Sequence, residues 1–199
     1  MGRRRKRSGN GRKSDSGLRN GLSIGLIALV VAMAVGGPLG SVLETVSLQT
    51  AAMILLASIG IAILADIVAV AATAGEEAPF NAMASDKVPG AREALDVVRN
   101  ADKVNSLCAD VIGDVCGTVS GVAATPIIRS ISQLYPDVPT GVVSMAVIGV
   151  VAFLTIGGKA AEKGFAVRAS TSVILGVGKA IYYLKRLNPR KGRRRPRAR

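Results

Sequence analysis

Residues 48–73, LQTAAMILLASIGIAILADIVAVAAT, form a run of 26 residues that holds one charged side chain, Asp66. At 1.5 Å per residue such a helix is about 39 Å long, more than the roughly 30 Å hydrocarbon core of a bilayer. A helix that is apolar on every side needs lipid or a thick protein shell around it. The chain has 199 residues, enough for one domain of ordinary size. Lipid is therefore the expected surrounding.

Three further segments support that reading. Residues 21–39 and 140–158 are uncharged apolar runs, and residues 105–128 form a weaker one that becomes a plausible span when packed against its neighbours. Residues 170–187 mix apolar side chains with Lys179, Lys185 and Arg186, and with Tyr182 and Tyr183 suit a juxtamembrane amphipathic helix better than a fifth span. A secretory signal competes for the first run, since basic residues precede it and Ala32-Met33-Ala34 resembles a cleavage site. The immediate return of a second apolar run favours a retained span. The fold expected is thus an all-α integral membrane protein of four transmembrane helices, about 21–39, 48–73, 105–128 and 140–158, with disordered basic tails at 1–20 and 188–199.

Charge sets the orientation. Of 26 Lys and Arg, eight lie in residues 1–20 and thirteen in residues 159–199. The loop between the first two spans holds none, whereas that between the second and third holds Lys87, Arg92, Arg99 and Lys103. Basic residues stay on the cytoplasmic side. Both termini are therefore expected in the cytoplasm, in a multi-pass protein of the cell membrane. The cytoplasmic loop should contain a helix over 91–103, introduced by the Pro89-Gly90 turn and packing through Leu95, Val97 and Val98.

The chemistry concentrates on carboxylates within spans. Wound at 100° per residue, Ser106, Asp110, Asp114 and Thr118 make one polar stripe, shared with Gly113, Gly117 and Gly121 at a spacing that lets two backbones approach. Cys108, Val111, Ile112, Val115, Val119 and Val122 lie behind it. Asp66 lies about 10 Å from the inner end of its span, and Asp110 and Asp114 lie roughly 8 and 14 Å from the same side at 1.5 Å per residue. Three carboxylates thus fall in one layer, each costing several kcal/mol in hydrocarbon unless paired, hydrated or protonated. One reading is a site for a hard cation such as Mg²⁺ or Ca²⁺, with Asp114, Asp110 and Asp66 as anionic ligands and Thr73, Ser106 and Thr118 as neutral ones. Glu76 and Glu77 would attract ions at its cytoplasmic mouth. The other reading is a structural cluster of capping and interhelical hydrogen bonds.

Thr73-Ala74-Gly75-Glu76 at the end of one span, an amphipathic cytoplasmic helix, and then Ile112-Gly113-Asp114 together resemble the transmembrane domain of the CorB/CorC and cyclin-M (CNNM) magnesium transporters. The first element matches the family's Ser-Gly-Ser-Glu and the last its Leu-Gly-Asn. Gly157-Gly158-Lys159-Ala160 faintly echoes its Gly-Glu-Ile-x-Pro-Lys. The resemblance, over about residues 64–187, is to a divergent relative lacking the family's CBS domains. It implies a dimer with an Mg²⁺-like ion bound or transported among these spans and entered from the cytoplasm. The chain departs from the family at Asp114, which stands for its Asn, and lacks its Glu and Pro after the last span.

Other classes find less support. With no His and no Trp, the sequence excludes His-based catalysis and His-ligated zinc or haem, and no phosphate-binding loop or nucleophile elbow occurs. The chain is not expected to be an enzyme. Cys108 and Cys116 lie about 12 Å apart along one helix, too far to pair within it. The tails carry no interleaved aromatic residue and suit anionic lipid better than nucleic acid. Two functions remain: a divalent-cation protein, dimeric through the glycine stripe or the first span, or a non-transporting scaffold or accessory subunit whose tails hold lipid.

Overall fold

A computed structural model of the chain describes residues 45–187 and, ahead of them, residues 22, 25–26, 29–30, 33–34, 36–38 and 40–43. The tails expected at 1–20 and 188–199, and much of the first run, lie outside the described residues. Those that are described between 22 and 43 are helical. No strand occurs among the described residues.

Helix α1, Leu48–Ala74, starts where the Ser47 hydroxyl accepts from the Thr50 N–H at 3.3 Å. It ends at Gly75, whose extended backbone turns the chain away. Helix α2, Glu77–Ser85, follows at once and was not anticipated. Pro79 reads as a helix breaker in the sequence, yet it occupies the first turn, where a backbone N–H has no intrahelical acceptor anyway. Helix α3, Ala91–Arg99, is introduced by Gly90 at φ 83°, a left-handed position matching the expected Pro89-Gly90 turn. Asn100 interrupts the helix expected over 91–103, and α4, Ala101–Asn105, continues beyond it.

From α4 the chain passes through a π-helical segment, Ser106–Ile112, into α5, Gly113–Leu134. Helix α6, Thr140–Arg168, runs ten residues beyond the span boundary expected at 158. Gly157 and Gly158 do not stop it. Helix α7, Ser170–Leu187, begins where the sequence placed it.

Among the described residues, three helical stretches are long and apolar enough to cross a membrane: Leu48–Ala74, Ala101–Leu134 and Thr140–Arg168. On α6, Met145, Phe153 and Ile156 are 69–77% exposed, a surface that water would not tolerate and lipid would. Helices α1 and α6 run parallel, with α5 antiparallel between them. Their core centres on Leu43, Leu55, Ile59, Ala123 and Ala124. Gly158 packs α6 closely on α1, since a Cβ there would meet Ile63 Cδ1 at 2.5 Å. Gly36 and Gly40 of the first run lie against Thr118 and Val122 of α5.

A second layer caps one end of this bundle. Helices α2, α3 and α7 pack on the end of α1 around Ala71, Ala72, Phe80, Ala94, Leu95, Val97 and Ile174. Its joints are a contact of backbones, in which a Cβ on Gly178 would meet the Gly90 carbonyl and lie 2.7 Å from the Ala94 nitrogen. Two ion pairs brace its rim, Arg99–Glu77 at 2.9 Å and Lys185–Glu93 at 3.3 Å.

This contact predicts opposite outcomes for two neighbouring glycines. Gly178→Ala should cost about 1–3 kcal/mol, as overpacking does. Gly176→Ala, where a Cβ meets nothing within 4 Å, should stabilise by up to about 1 kcal/mol through helix propensity alone. Thermal midpoints of the two purified variants should straddle that of the wild type.

Candidate functional site

The feature that separates this bundle from a plain apolar one is a pair of acids. Asp66 of α1 and Glu162 of α6 are 9% and 8% exposed. Gly158 meets Ile63 about one helical turn earlier on both helices. Since the two helices run parallel, the next turn brings Glu162 to Asp66, which acts on it directly. Both Glu162 carboxylate oxygens are shielded from solvent and have no hydrogen-bond partner among the described residues. Two ionised carboxylates offer acceptors and no donor, so they cannot satisfy each other. One shared proton would supply the missing donor, and a cation would satisfy both.

Depth places the pair near the edge of the hydrocarbon. Asp66 lies about 27 Å along α1 and Glu162 about 33 Å along α6, at 1.5 Å per residue from their starts. Both distances approach the roughly 30 Å of a bilayer core, on the side of the second layer. Lys163 and Lys159 are the cations that act on Glu162. Lys163 is exposed and Lys159 half-buried. The Lys159 ammonium lies 3.5 Å from where a Cβ of Gly113 would be.

The residues expected to form a three-carboxylate site are placed differently. The π segment bonds each N–H one residue further back than an α-helix does, so Ser106 and Asp110 rotate out of line with Asp114 and Thr118. Asp110 and Asp114 are exposed on the surface of the chain, and Ser106 and Thr118 are half-buried. The Thr118 hydroxyl donates to the Asp114 carbonyl at 2.9 Å, and that of Thr73 to the Val70 carbonyl at 2.9 Å. Each keeps lone pairs while its proton is engaged. Glu76 and Glu77 are exposed, and Glu77 is held by Arg99. Among the described residues no three His, Cys, Asp or Glu side chains gather as a metal ion would need.

The glycine stripe also lies open among the described residues. A Cβ on Gly117 or Gly121 would meet nothing within 4 Å, and only Gly113 has a neighbour, Lys159. Helix α5 instead buries Cys116, Ser120, Ala123 and Ala124. There the Ser120 and Ser58 hydroxyls meet at 2.8 Å, each also 2.8 Å from a carbonyl of its own helix, Cys116 and Leu55 respectively. Two hydroxyl protons serve three contacts, so one proton bridges the helices while the other bonds locally. Cys108 and Cys116 are free thiols, as their spacing required.

Sequence reasoning missed Glu162 because the span was ended at Gly158. The available signal was the continuing helical period of Gly158, Glu162 and Ala166, the last two of which are buried.

The carboxylate pair makes two predictions measurable as thermal midpoints without divalent ions. Glu162→Gln introduces an amide donor toward Asp66 and should stabilise by about 1–3 kcal/mol, the cost of an unsatisfied buried polar group. Ser58→Ala should cost only about 0.6 kcal/mol, the average for a membrane interhelical hydrogen bond, because Ser120 keeps its local acceptor.

A scan of protein-family models finds no match to the chain, and searches of curated proteins and of solved structures find none either.

Proposed function

We propose that this multi-pass membrane protein binds a cation at Asp66 and Glu162, on the cytoplasmic side of the bilayer. The observation that carries the reading is the Glu162 carboxylate: more than nine-tenths buried, beside a second acid, with both oxygens lacking a donor. Hard oxygen ligands suit a divalent ion of the Mg²⁺ type. The resemblance to the CorB/CorC and cyclin-M domain supports a transported or bound ion, and the distribution of Lys and Arg supports four spans with both termini in the cytoplasm of a cell-membrane protein. Asp110 and Asp114 then stand on an outer face. There a second copy, meeting it along Gly113, Gly117 and Gly121, would enclose them in a dimer.

A scaffold or accessory subunit is the second reading. It is favoured by Lys159 and Lys163, which can neutralise the acids without an ion. In this case the basic tails and α7 would hold anionic lipid.

The thermal midpoint of the detergent-purified full chain, measured against Mg²⁺, Ca²⁺, Mn²⁺ and Na⁺, tests the proposal. At a hundred times Kd a bound ion should stabilise the fold by about 2.7 kcal/mol. A divalent-specific rise is expected in the wild type and in Asp114→Asn, and its loss in Asp66→Asn and Glu162→Gln. No rise with any ion, in the wild type or in Lys159→Met, would overturn the cation reading in favour of the scaffold. A rise abolished by Asp114→Asn would move the site to the glycine face.

A further inference from the structure

Two buried carboxylates carry a charge that has to be balanced, by an ion or from within the protein. Ionised side chains in hydrocarbon are strongly disfavoured unless compensated. The balance available is Lys163 and Lys159. Lys163 is exposed, so solvent and salt weaken its influence. Lys159 is half-buried and three residues before Glu162, hence on the same side of α6.

The position of its ammonium is unusual. It lies across the interface from its own helix, 3.5 Å from the missing side chain of Gly113, where the π segment gives way to α5. It acts on Cys116, one turn along α5, as well as on Glu162. The two ion pairs among the described residues, Arg99–Glu77 and Lys185–Glu93, do not include it. Lys159 thus stands within the field of the acid pair without being locked to it, on a flexible four-carbon stem. Glycine at 113 leaves the space in which it rests.

We propose that Lys159 is a tethered cation that competes with free ions for the Asp66–Glu162 pair. From its rest against Gly113 the ammonium compensates the two carboxylates when no ion is bound, and an entering ion has to outcompete it. The inference rests on the reading of the pair as a cation site and adds what limits occupancy there. It also accounts for the second reading, since a lysine that is never displaced would convert the same architecture into a scaffold.

The test titrates the full chain in detergent with MgCl₂ at constant ionic strength, following the thermal midpoint of the wild type, Lys159→Met, Lys159→Gln and Lys163→Met. Removing the Lys159 ammonium should lower the ion-free midpoint and raise apparent Mg²⁺ affinity at least tenfold. In a Glu162→Gln background, Lys159→Met should lower the midpoint by clearly less than in the wild type, because one of the two charges it compensates is gone. A wild type that ignores Mg²⁺ beside a Lys159→Met variant that binds it would also support the tethered cation. Wild-type binding with unchanged affinity in both Lys159 variants overturns the inference and leaves the site intact. An equal gain in Lys163→Met overturns it too, by assigning the effect to net charge. Silence of the wild type and both Lys159 variants overturns the inference together with the site. Two variants at Lys159 guard against one that fails to fold.

Discussion

Lipid removes the force that assembles most helical proteins. An apolar side chain gains little by leaving hydrocarbon for another apolar side chain, so helices in a bilayer associate through close backbone approach and a few polar contacts. The buried stripe of α1 shows the result: Ala51, Leu55, Ser58, Ile59, Ala62, Asp66 and Ala69 recur every three or four residues, and four of the seven are alanine or serine. Gly158 against Ile63, and Ser58 against Ser120, are the same device used on α6 and α5.

Close approach also explains how two acids come to face each other. The α1–α6 contact fixes the register of two parallel helices at Ile63 and Gly158, and Asp66 and Glu162 follow one turn later. The second layer holds the end of α1 through Ala71 and Ala72, a turn beyond Asp66. Position along the bundle axis is thus set from both sides, by helix packing within the membrane and by a small apolar core outside it. The acid pair sits between those two anchors, where a shift of one helix by one residue would break the juxtaposition.

Much of this was legible in the sequence. The apolar runs announced the spanning helices, and Asp66 drew notice as the one charge in 26 residues. The Pro89-Gly90 turn, and the burial of Leu95 and Val97, followed from turn chemistry and helical period. What escaped depended on partners distant in the chain. Two adjacent glycines lower helix propensity by about 1 kcal/mol each, so Gly157-Gly158 read as an end, but contact with Ile63 of another helix outweighs that cost. The π segment has no residue signature, and it dissolved the straight polar stripe through Ser106, Asp110, Asp114 and Thr118. Helix α2 was hidden by a proline whose position in the first turn makes it harmless.

The backbone contact between Gly90 and Gly178 has a temporal consequence. The two residues are separated by 88 positions, and α5 and α6 lie between them in the chain. Phe80, Leu95 and Val97 therefore leave the ribosome long before Ile174, which completes their enclosure. Until α7 arrives, α2 and α3 present an unfinished apolar surface beside the membrane, open to chaperones and to wrong neighbours. The layer nearest the acid pair is thus the last part of the molecule to close during synthesis, after every stretch apolar enough to cross the membrane has been made.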